Sequence, residues 1–112
     1  MSQSKDLLDA TGALTDAVHD ASLDAAYSPY QLQLTTAHNA LTTEMYLIQK
    51  YASDVDAAPA SEVQAALSDC GTAADALQSA ATPAQREKAV ALTFVAIGAV
   101  KVVLPNGARA FI

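Results

Sequence analysis

At 112 residues the chain is long enough for one domain with a single core and too short for several. Apolar residues make up 52% of it, which excludes a disordered composition, although much of that share is alanine and the core must be thin. A net charge of −6 with only six Lys and Arg excludes an electrostatic nucleic-acid binder and an anionic-lipid binder.

Charge is unevenly placed. Residues 1–27 carry −4, residues 28–81 carry −5, and residues 82–112 carry +3. The single cysteine, Cys70, has no partner for an internal disulfide. Together with an N-terminus that does not read as a signal peptide, this favours the cytoplasm. The most apolar run, Ala89 to Val100, is too short to span a bilayer and is followed by Lys101.

The first segment, about residues 4–27, has helical period. Leu7, Ala10, Leu14, Ala17, Val18, Ala21 and Ala25 share one face. Asp9, Asp16, Asp20 and Asp24 form a stripe on the other side. Charge runs are usually solvated faces, but this one also suits docking to a basic protein partner. His19 stands three residues after Asp16, a helical pair that binds metal only where facing helices add ligands. No second such pair exists, so His19 is expected to be solvated.

The second segment, about 29–55, starts at Tyr-Ser-Pro-Tyr-Gln. Ser28 and Gln31 have the spacing of a capping box, Pro29 would take the first helical position, and Tyr27 and Leu32 would form a staple. Leu34, Ala37, Leu41, Met45, Ile48, Tyr51, Ala52 and Val55 line up behind it. Glu44 falls at the edge of that apolar face. A rim position reaching water is expected, since unpaired burial would raise its pKa or cost several kcal/mol. Glu44 and Tyr51 are candidates to line a small-ligand pocket. Tyr46 falls off the stripe.

The third segment, about 62–80, repeats the grammar with Ser61 and Gln64, and Val63, Ala66, Leu67, Cys70, Ala73, Ala74, Leu77 and Ala81 share a face. On that core stripe Cys70 reads as a small hydrophobe, without a base placed to make it a nucleophile. Gly12 and Gly71 lie inside helical segments, where each costs about 1 kcal/mol relative to alanine and can allow close contact or a bend.

The fourth segment, about 83–103, opens on a third box at Thr82 and Gln85, with Pro83 between them. Its Val90, Leu92, Phe94, Val95, Ile97, Val100, Val102, Val103 and Leu104 point all round a helix. Such a helix needs cover on every side. Its β-branched residues also admit a strand, and the cap at Thr82 favours helix. Ala84, Ala91 and Gly98 recur every seven residues and would admit a close neighbour. Pro105, Asn106 and Gly107 signal a turn into an extended tail, residues 105–112, ending on Phe111 and Ile112.

Short connections between segments of this length predict an all-α, antiparallel four-helix bundle. The surplus apolar surface predicts a non-enzymatic interaction module that forms a homodimer or higher homo-oligomer through Phe94, Ile97, Val100, Leu104, Phe111 and Ile112. The alternatives are an acidic inhibitor presenting the aspartate stripe to a basic site, and a small-ligand-binding bundle. No phosphate loop, Cys-x-x-Cys or nucleophile motif is present, so no cofactor, metal, nucleic acid or membrane partner is expected.

Overall fold

The computed structural model describes residues 2–112. It contains α1 (Gln3–Ser22), a 3-10 segment (Ala25–Tyr30), α2 (Gln31–Lys50), α3 (Ala52–Asp56), α4 (Ala60–Ser79), α5 (Pro83–Val103) and α6 (Asn106–Arg109). No strand occurs among the described residues, so the domain is all-α. The valine-rich stretch that admitted a strand is helical in α5. Each β-branched residue costs only a few tenths of a kcal/mol there, and burial of the inner face outweighs it.

Four of the helices are long, at 20 or 21 residues, or about 30 Å each. The molecule measures 40 × 23 × 17 Å, which suits such helices laid side by side two deep. The α4–α5 seam is the most extensive. The α1–α4 and α1–α2 seams follow, and the α2–α5 seam is much the sparsest of the four.

The core is built as its composition requires. Leu7, Leu14, Leu34, Leu41 and Val100 are fully buried, and Ala66, Ala73, Ala89 and Ala96 fill the spaces between them. Thr15 and Thr93 are buried too, and each hydroxyl donates to the carbonyl one turn back, at 2.7 Å to Thr11 and 2.9 Å to Ala89.

Of the three expected capping boxes, one forms. The Gln85 amide N–H donates to Thr82 Oγ1 at 3.2 Å, and Gln85 Oε1 accepts from the Ala81 N–H at 2.8 Å, one residue further back than a standard box. At Ser28 the box is absent, because Ser28 and Pro29 lie inside the 3-10 segment. Gln31 instead donates to the Ser22 carbonyl at 2.8 Å. The staple fails with it: Tyr27 is buried while Leu32 is exposed. Ser61 lies within α4, whose N-cap is Pro59, and makes no capping bond. Two further caps form at Ser2, which accepts from the Lys5 N–H, and at Asp24, which accepts from the Ala26 N–H.

The second segment breaks at Tyr51 into α2 and α3. The α3 carbonyls are held from the start of α1. Gln3 Nε2 lies 3.0 to 3.2 Å from the carbonyls of Val55, Asp56 and Ala58, and Asp56 Oδ1 accepts from the Ser4 N–H at 2.8 Å. At the other end, the expected extended tail is helical over residues 106–109. Arg109 explains this. Its guanidinium donates to the carbonyls of Leu104 at 2.9 Å and Val102 at 2.7 Å, folding the segment back onto the end of α5 and satisfying carbonyls that the helix leaves open.

Candidate functional site

Two features stand out: a polar group inside the core and an apolar face outside it.

The polar group is Glu44, on α2. The expected rim position is not adopted. Glu44 is fully buried, and neither carboxylate oxygen has a hydrogen-bond partner. Burial pushes its pKa up to about 9, and the Lys101 ammonium on α5 pulls it back only in part. At neutral pH Glu44 is therefore a protonated, uncharged acid. The buried Thr11 hydroxyl on α1 is likewise without a partner. Next to these groups lies Cys70 on α4, whose thiol is pushed up to about 11, first by burial and then by the Glu44 carboxyl. α1, α2 and α4 thus each bring one buried polar side chain, Thr11, Glu44 and Cys70, to the same neighbourhood. Cys70 is buried on the core stripe of α4, and its apolar surroundings disfavour the thiolate.

The Glu44–Tyr51 pocket does not form. Tyr51 is half-buried, with Lys50 Nζ 5.6 Å from its ring centre. A hollow of about 270 Å³ on this part of α2 is lined by Thr43, Tyr46, Leu47, Lys50 and Phe111, and neither Glu44 nor Tyr51 forms its wall.

The aspartate stripe is exposed along α1, but two of its members are engaged. Asp9 pairs with Lys5 at 2.9 Å, and Asp24 caps the 3-10 segment. Asp16 and Asp20 remain open to solvent. His19 is exposed and faces His38 of α2, their ring centres 6.0 Å apart. Among the described residues no group of three or more His, Cys, Asp or Glu side chains is arranged to hold a metal ion.

The apolar face is on α5, and here the expected interface is divided. Ile97, Val100 and Leu104 point inward and are buried in their own chain. They cannot meet a partner without unfolding the domain. Phe94 and Phe111 are exposed, at 38% and 65%, and Ile112 is half-buried. With Phe94 stand Ala91, Val95, Gly98 and Val102, all exposed. Val95 and Val102 are 55% and 49% exposed. The spacing of three, four and four residues puts Ala91, Phe94 or Val95, Gly98 and Val102 on one outward line. From Ala91 to Val102 every exposed residue of α5 is apolar. The expected interface took in Val100 and left out Val95 and Val102, because the inner face is set by which side meets α4, and that is a tertiary fact.

No helix among the described residues is long and apolar enough to cross a membrane. Set against protein-family models, curated proteins and solved structures, the chain matches none.

Proposed function

We propose that this chain is a non-enzymatic interaction module of the cytoplasm whose four long helices close as an antiparallel four-helix bundle and which self-associates through the outer face of α5. The observation that carries the reading is the unbroken apolar line Ala91, Phe94, Val95, Gly98 and Val102 on a helix already buried on its other side. Continuous exposed apolar surface of this kind marks a docking site. Phe111 is a second exposed apolar side chain, beside Tyr46 and Lys50 of α2.

The test is a paired mass measurement by size-exclusion chromatography with light scattering. The wild-type chain is expected to run as a dimer or larger at low micromolar concentration. Val95→Glu, which places a charge on the exposed line and touches none of the core, is expected to run as a monomer with unchanged helical circular dichroism. A monomeric wild type would overturn the proposal.

A further inference from the structure

The apolar line on α5 is bordered by charge in a pattern that fixes how a second copy lies on it. Glu87, Phe94 and Lys101 are spaced seven residues apart, so they fall on one line along the edge of the outer face. Glu87 is exposed near the start of α5 and Lys101 is half-exposed near its end. Resting on self-association through this face, we infer that the partner is a second copy of this chain with its α5 antiparallel, related by a two-fold axis close to Phe94.

When two helices pack face to face, an antiparallel pair brings the same edge of each helix together, whereas a parallel pair brings opposite edges together. An antiparallel pair centred on Phe94 therefore sets Glu87 of each copy beside the partner's Lys101. Two ion pairs result, one at each end of the interface. The same register lays Ala91 near the partner's Gly98, a small residue on a small one, so the backbones approach closely at two symmetric points. Gly98 has room for this, since a Cβ built there meets no atom of its own chain within 4 Å. A parallel pair would place Lys101 opposite the Ala99 edge, where no acidic residue of α5 stands. The remaining cation near the line, Lys88, lies on the opposite edge from Glu87 and Lys101, and in the antiparallel pair it faces that same edge of its partner around Ala99 and Val102, away from any like charge.

Single-cysteine cross-linking tests the arrangement in the full-length chain. Cys70 stays in place, because its buried thiol is shielded from reagent and wild type serves as the blank. Val95→Cys, near the axis, is expected to cross-link to itself with a short bis-maleimide. Val102→Cys is expected not to, since two copies of that position lie about 24 Å apart along the axis at 1.5 Å per residue. Cross-linking at both positions, or at Val102 alone, would overturn the antiparallel register in favour of a parallel one. Failure at both positions in a protein that light scattering shows to be dimeric would place the contact elsewhere and overturn it too. A monomer by light scattering would instead remove the underlying self-association.

Charge exchange gives an independent reading. Glu87→Lys is expected to raise the dimer dissociation constant roughly three- to ten-fold, as two surface pairs turn repulsive. Adding Lys101→Glu is expected to restore it. A dissociation constant unmoved by Glu87→Lys, or not restored in the double variant, contradicts the pairing.

Discussion

Glu44 carries the sharpest consequence at the scale of single residues. Its pKa is raised in the folded chain to about 9 from an ordinary 4.5, so between those values the folded state holds a proton that the unfolded state has released. Stability is then highest at or below pH 4.5 as far as this group is concerned. It declines as pH rises, and levels off above about 9. Glu44→Gln removes the titration. The variant is expected to match wild type near pH 5 and to gain on it by about 1.4 kcal/mol per pH unit up to pH 9. Chemical denaturation across that range measures it, and a wild-type/variant difference independent of pH would contradict the buried, protonated carboxyl. Tyr27 is a second case. Its buried hydroxyl donates at 2.8 Å to the carbonyl of Leu77, one of the last four of α4 and without a helical partner. Tyr27→Phe keeps the ring and orphans that carbonyl, with an expected loss of about 1–2 kcal/mol in denaturant unfolding. A loss near zero would mean that water replaces the hydroxyl.

Glycine separates two effects at the scale of the helix. Gly71 in α4 and Gly98 in α5 both have room for a Cβ, and both have ordinary helical backbone without positive φ. Alanine at either is expected to stabilise the monomeric fold by about 0.5–1 kcal/mol through helix propensity. Only Gly98 lies on the exposed apolar line. Gly98→Ala is therefore expected to weaken self-association while Gly71→Ala leaves it unchanged, with thermal melts and light scattering reading the two quantities separately. The same scale shows what the sequence made legible. Periodicity placed all four long helices, and α5 matched its expected span of 83–103 because Thr82 and Pro83 act on their own backbone neighbours. Ser28 carried an identical signal and failed, since burying Tyr27 against α4 draws the whole 25–30 segment into a 3-10 turn. Capping grammar is local, and a long-range contact can outbid it. The tail differs from the expected extended segment for the same reason: the bonds of Arg109 to the end of α5 are long-range contacts that no local signal at Pro105 to Gly107 carries.

Self-association and the aspartate stripe belong to the scale of the whole molecule. The acidic residues of α1 and the apolar line of α5 are separate surfaces, and the first is depleted by the Lys5–Asp9 pair and the Asp24 cap. What the sequence announced was a quantity, more apolar circumference on one helix than three alanine-lined neighbours can cover. Direction was not announced, because Ile97 and Val95 are equally apolar and only the position of α4 decides that the first is buried and the second exposed. Glu44 was misplaced at the rim by the same want of tertiary information, although the consequence of burying it, a raised pKa, followed from chemistry alone. Sedimentation equilibrium on the wild-type chain over a wide concentration range tests the central claim most directly. The exposed face of α5 predicts a mass that rises from one chain, 11.5 kDa, to twice that value, with the transition in the micromolar range or below. A mass that stays at that of a single chain throughout would contradict it.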